Sequence, residues 1–208
     1  MVKFTNQEKE NPKLKQLNEA ALALFYRYGF RKVTVEEICQ EASVSKMTFY
    51  KFYSNKMDVA RYLVNELIEQ GFRDYHDIMI APGSFEEKVK EIIKMKLEFS
   101  GSVSQEFIND FLSSGDPEFT ALIAKQSLRN FQQVLQDFTQ AQQLGEIRQD
   151  LNLQFVFYFL NMMPEMLKDE RYKMLFANPH DMIGELVNFF FYGILPRPNQ
   201  SEDDQESA

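Results

Sequence analysis

The sequence predicts an all-α fold of about nine helices, and three observations predict it. Apolar residues recur three and four positions apart along most of the chain, the spacing that lines one face of a helix. No stretch keeps up a strand's alternation of apolar and polar residues, and neither Asn-Gly nor Asp-Gly occurs to turn a hairpin. Capping residues precede the periodic runs, and Gly or Pro ends many of them.

The elements follow in order. Asn11-Pro12 is a cap followed by proline at the first helical position, and Leu14, Leu17, Ala21, Leu24, Phe25 and Tyr28 share a face before Gly29 stops the helix. Thr34 with Glu37 makes a capping-box pattern for a short helix whose inner face is Val35, Ile38, Cys39 and Ala42. A break at Ser43-Val44 precedes a third short helix, capped by Ser45 and running to about Phe52. Ser54-Asn55 opens a long fourth helix that ends at Ala81-Pro82-Gly83, the best domain boundary in the chain. Five further helices are expected: from Ser84 to near Gly101, from Ser104 to about Leu112, from Asp116-Pro117 to Gly145, from Asn152 to about Asp169, and from Asn178-Pro179 to Gly193. The expected organisation is an N-terminal domain over 1–55, a connecting helix over 56–80, a C-terminal domain over 81–195 and an acidic tail without fixed structure over 196–208.

Several function classes fall. One cysteine excludes a disulfide framework and a cysteine-built zinc site, and His76 and His180 stand far apart. The eight glycines form neither nucleotide-binding loop. No nucleophile–base pair is visible, and the adjacent acids Glu36-Glu37, Glu86-Glu87 and Asp203-Asp204 diverge on a helix. No cofactor, metal or enzymatic activity is expected. The N-terminus lacks an apolar signal core, and the longest apolar runs are far shorter than the roughly 20 residues a bilayer requires. A cytoplasmic protein with no membrane contact is the expectation.

Charge looks unfavourable to DNA binding until it is divided. The whole chain carries a formal net charge of −8. Residues 1–79 hold 12 bases and 11 acids, whereas 80–208 hold 11 bases and 20 acids. Between Arg27 and Lys56 lie six bases and three acids, and 43–56 contain three lysines and no acid. The acidity therefore belongs to the C-terminal part.

Residues 33–52, VTVEEICQEASVSKMTFYKF, read as two short helices joined by a tight turn, the helix-turn-helix pattern. Val44 plugs the turn and Phe49 reaches back to the core. That arrangement leaves Ser45, Lys46, Met47, Thr48, Tyr50 and Lys51 on or near the outer surface. Cys39, beside Ile38 and Ala42, reads as core.

The chain resembles the TetR family of transcriptional regulators over roughly 14–65. The resemblance is carried by Thr34, Ile38, Ala42, Val44, Ser45, Lys46, Thr48, Phe49, Tyr50, Phe52, Tyr53, Asn55 and Lys56, with Tyr28-Gly29 ahead of them. Gly145-Glu146-Ile147-Arg148, with Asp150-Leu151, resembles a linker of the same family. The resemblance implies that Thr34, Ser45, Thr48 and Tyr50 hold or approach backbone phosphates. Lys46, Met47 and Lys51 would approach base edges, and Lys56 would clamp a flanking phosphate. Phe49 and Phe52 would be core. Arg27, Arg31 and Lys32 could serve either the surface or DNA. Relatives commonly carry glycine where this chain has Ser43, and a positive φ there would cost serine roughly 1 kcal/mol. Met47 replaces a usually small residue, so base preference does not transfer.

Fourteen of the 20 Phe follow residue 80. The eighth and ninth expected helices are apolar nearly all round, which demands burial on every side. The predicted solution is a homodimer pairing these helices through Phe155, Phe159, Met163, Phe189 and Phe190, the four-helix interface that the resemblance implies. Phe and Met also suit an adaptable pocket for a small apolar or aromatic effector. The expected function is a ligand-responsive repressor that binds a palindromic operator in double-stranded DNA. The alternative is a regulator whose C-terminal domain takes a protein partner, as a co-activator or scaffold.

Overall fold

The computed structural model describes residues 11–195, apart from the side chains of Asn161 and Pro164. Residues 1–10 of the first expected domain and the acidic tail expected over 196–208 lie outside the described residues. Ten helices follow one another: α1 Pro12–Tyr28, α2 Val35–Glu41, α3 Lys46–Phe49, α4 Lys56–Ile80, α5 Phe85–Ser102, α6 Gln105–Leu112, α7 Pro117–Gln143, α8 Leu153–Met166, α9 Glu170–Lys173 and α10 Pro179–Ile194. The helix beyond the nine expected is α9. It is a single turn capped by Asp169, at the end of the run expected to continue α8.

Local chemistry explains the first elements. The Asn11 side chain accepts the Leu14 N–H, and Pro12 occupies the first turn, where its missing N–H costs nothing. Thr34 Oγ1 accepts the Glu37 N–H while the Glu37 carboxylate accepts the Thr34 N–H at 2.7 Å, a complete capping box. After α2 the chain reverses through Ser43 at φ 52°, the only positive-φ residue other than glycine among the described residues. α3 is shorter than expected, one turn closing at Phe49. The chain to Tyr53 continues in turns, with the Tyr50 N–H on the Lys46 carbonyl at 2.9 Å and the Tyr53 N–H on that of Phe49 at 3.1 Å.

Two apolar cores result. The first gathers Leu17, Phe25, Phe30, Ile38, Phe49, Val59 and Leu63, and it recruits Phe107 from α6 and Phe119 from α7. The second joins Phe85, Val89, Ile92, Phe138, Ile147, Phe157 and Phe190. The turn at Ala81–Gly83 therefore separates two helices and not two cores. A polar seam binds α4 to α7. Arg61 pairs with Asp116 at 3.0 Å, Gln126 donates to Asn65 at 2.6 Å and Arg129 grips Glu69 at 2.7 and 2.9 Å. Tyr75 donates to Asp137 at 2.9 Å. The partners advance together, so both helices run in the same sense. Gly145 turns the chain at φ 76°, and Ile147 after it is fully buried.

Two backbone positions make opposite predictions. Ser43→Gly should raise stability by about 0.5–1 kcal/mol, because glycine removes the left-handed strain at some entropic cost. Thermal unfolding should show the midpoint rise by about 1–4 °C. Gly29→Ala should lower stability by at least about 1–2 kcal/mol, since φ there is 76° and a Cβ would lie 2.6 Å from Asp110 Oδ2.

Candidate functional site

α2 and α3 stand at one end of the molecule, with Phe49 fully buried beneath them. Around that anchor the expected recognition side chains point outward. Met47 is 74% exposed and Tyr50 57% exposed, and Ser45, Lys46 and Lys51 are also exposed. Thr48 is half-buried. Ser45 accepts the Thr48 N–H at 3.1 Å, and the two hydroxyls lie 3.0 Å apart. Thr34 is exposed at the start of α2, with its hydroxyl donating to Glu37 at 2.8 Å. Tyr50 stands edge-on against Phe49, its ring centroid 5.3 Å away. Cys39 is buried, and burial pushes its thiol upward in pKa, so it is a small core residue and not a nucleophile.

The bases are less free than their count suggests. Lys46 pairs with Glu36 on α2, and this contact holds the Glu36 carboxyl below its ordinary pKa. Lys56 sits differently from expectation. Its ammonium donates to the carbonyls of Arg31 and Val33, the latter at 2.7 Å, and burial lowers its pKa. It ties the chain ahead of Thr34 to the start of α4, where the resemblance implies a phosphate clamp. The reason is geometric: the α1–α2 turn presents unpaired carbonyls within reach of a long cation.

Arg31 and Lys32 are captured by α6. Asp110, 7% exposed, accepts the Arg31 backbone N–H at 2.8 Å and lies 3.5 Å from the Arg31 guanidinium. The guanidinium also donates to the Ser113 carbonyl, and Lys32 pairs with Glu106 at 3.3 Å. The Ser104 N–H donates to the Tyr26 carbonyl at 2.8 Å. α6 is thus fastened to the turn between α1 and α2. Sequence reading misses Asp110 and Glu106, because two acids on a short polar helix carry no local sign of a partner 74 to 79 residues away.

At the other end, the residues expected to pair copies divide. Phe155 and Phe189 are 59% and 72% exposed, while Phe159 and Met163 are half-buried. Phe190 lies inside the protomer, stacked on Phe159 at 5.7 Å with its ring plane 6° from parallel. Adjacent helical residues differ by about 100°, and here Phe189 turns outward while Phe190 turns into the protomer. The outward apolar face instead includes Tyr158, Met162 and Tyr192, at 65%, 38% and 55% exposure. An open groove of about 510 Å³ borders it between α5 and α10, lined by Ile93, Leu97, His180 and Tyr192 among others. Among the described residues no group of three or more His, Cys, Asp or Glu could hold a metal ion, and no helix is long and apolar enough to cross a membrane.

A capped helix, a tight turn and a short helix with exposed polar and basic residues define a helix-turn-helix DNA-binding regulator. Residues 17–63 match the profile of the bacterial regulatory proteins of the tetR family. An uncharacterized HTH-type transcriptional regulator of Bacillus subtilis, YdgC, is 25% identical over 186 residues, covering 89% of this chain and 94% of that protein. Among solved structures, the fatty acid degradation regulator FadR of Bacillus halodurans aligns with a TM-score of 0.68 at 18% identity, over 90% of this chain and 98% of that one. FadR of Bacillus subtilis, solved with stearoyl-CoA, aligns with a TM-score of 0.62 at 19% identity, over 87% and 99%. Residues 17–63 thus match the DNA-binding segment of the tetR family, and the chain as a whole shares the fold of these regulators.

The Lys46–Glu36 pair yields a direct prediction. Glu36→Gln should release the Lys46 charge and remove a carboxylate from the DNA-facing end. Affinity for duplex DNA should rise several-fold and the dependence on log salt should steepen by up to about one unit. Fluorescence anisotropy across a salt series measures both.

Proposed function

We propose that this regulator is a homodimeric, ligand-responsive repressor of a palindromic operator. The observation that carries the reading is the fastening of α6 to the α1–α2 turn. Through it, any displacement within the C-terminal helices acts on the DNA-reading end by a second route besides α4. An effector then needs only unequal affinity for two placements of the recognition helices to move the equilibrium. FadR of Bacillus subtilis binds stearoyl-CoA on a similar fold, which supports a C-terminal effector here.

In this reading, Thr34, Ser45, Thr48 and Tyr50 approach the phosphates, and Lys46, Met47 and Lys51 face the base edges. Lys56 holds the turn that sets Thr34 and makes no phosphate contact of its own. Two copies pair through α8 and α10, burying Phe155, Tyr158 and Met162 of one helix and Phe189 and Tyr192 of the other. This face is apolar at helical spacing, and five large side chains left in water at one end of a chain are hard to reconcile with a monomer. A two-fold dimer would set the recognition helices into successive major grooves, about 34 Å or a multiple apart.

Selection of bound DNA from random duplexes should return a palindromic consensus. Recovery without enrichment would sink the proposal. Phe189→Glu should convert a dimer to a folded monomer in analytical ultracentrifugation and weaken operator binding at least tenfold. A dimer unaffected by that change would remove the assigned interface.

A further inference from the structure

The polar side chains of the recognition turn are largely committed within the protein. The Ser45 and Thr48 hydroxyls lie 3.0 Å apart, and Ser45 also accepts the Thr48 N–H. Lys46 is held by Glu36 on α2. The Thr34 hydroxyl donates to Glu37 at 2.8 Å, and the Lys56 ammonium donates to two carbonyls of the α1–α2 turn. Lys51 is exposed but lies past Tyr50, the C-cap of α3. One outward side chain remains inside α3, and it is apolar.

Met47 is 74% exposed, while Phe49 two residues later is fully buried. Val44, Phe52 and Tyr53 on either side pack against the first core, whereas Met47 stays in water. It is the second residue of α3, and the first residues of the second helix of a helix-turn-helix are those that meet base edges in the major groove. Tyr50 stands one turn further on the same side and is 57% exposed. A thioether donates no hydrogen bond and accepts only weakly, so Met47 cannot read the donor and acceptor pattern of a base pair. The group in the major groove that an apolar side chain can answer is the 5-methyl of thymine. The unbranched, polarizable Met side chain adapts to such a methyl without demanding a fixed geometry. Contact between them takes apolar surface of both out of water.

We propose that Met47 sets the base preference of this regulator by covering the 5-methyl group of one thymine in each operator half-site. This rests on the reading of the chain as an operator-binding regulator. The thymine is chosen for its methyl group and not for its hydrogen-bonding edge, so a base with the same edge and no methyl is discriminated against. The Glu36 carboxylate strengthens the bias toward apolar readout, because it holds Lys46, the neighbour suited to a guanine edge.

Deoxyuridine is the probe, since it keeps the pairing and the O4 acceptor of thymidine and lacks only the methyl. In an operator selected from random duplexes, each thymidine is replaced in turn, and binding by the full chain is followed by fluorescence anisotropy. At one half-site position the replacement should weaken binding about fourfold, and in both half-sites together about fifteenfold, the loss that one buried methyl per half-site gives. Met47→Ala should weaken binding to the thymidine operator and abolish the response at that position, while responses elsewhere stay. Met47→Leu, which restores apolar bulk, should bring the response back. Because Met47 is a surface residue, both variants should unfold at the temperature of the unaltered protein. An operator in which no deoxyuridine costs as much as about twofold would overturn the proposal, and so would an unchanged response at that position in Met47→Ala. Random duplexes that yield no enriched sequence would overturn the reading of the chain as an operator-binding regulator, whereas an enriched operator indifferent to Met47 would overturn this inference alone.

Discussion

One buried carboxylate sets the relation between the two ends of the molecule. Asp110 projects from α6 against Gly29 and takes both the backbone N–H and the guanidinium of Arg31. A carboxylate this enclosed is tolerable only when its oxygens are answered, and removing one partner strands the other. The close approach also demands a glycine, since no side chain fits at position 29 beneath the Asp110 oxygen. Because Arg31 lies three residues before the Thr34 cap, the same contact positions the start of α2. The direction in which the recognition turn faces therefore depends on a helix of the C-terminal half.

Polar contacts do comparable work along α4. Arg61, Asn65, Glu69 and Tyr75 meet partners on α7 in strict order. Apolar packing is non-directional and would permit the helices to slide, whereas a row of matched donors and acceptors fixes their register. Burial raises the pKa of the Tyr75 hydroxyl, reinforced by the Asp137 carboxylate beside it, so it stays a donor. α4 and α7 thus form a stiff pair along the length that these contacts span.

Charge at the reading end is regulated by pairing. Among the six bases from Arg27 to Lys56, Arg31, Lys32, Lys46 and Lys56 are engaged by carboxylates or carbonyls of the protein. Arg27 lies over the Tyr28 ring at 5.7 Å. Such pairing leaves little free positive charge at this end, while Met47, Tyr50 and Lys51 stay exposed beside it.

The local elements are legible in the amino-acid sequence, because caps, stops and helical spacing act within a few residues of themselves. Asn11, Thr34 and Ser45 each cap the helix expected of them, and Ser43 adopts the positive φ that a glycine would occupy without strain. The helix-turn-helix is readable for the same reason: its core positions and its outward side chains lie within 20 residues of one another. Tertiary structure alone decided which face of α8 and α10 turns outward, that Lys56 serves the α1–α2 turn and that Asp110 reaches Arg31. Each of these depends on a partner far away in the chain. A side chain's partner at such distance is set by how whole helices pack, and no residue carries that in its own spacing.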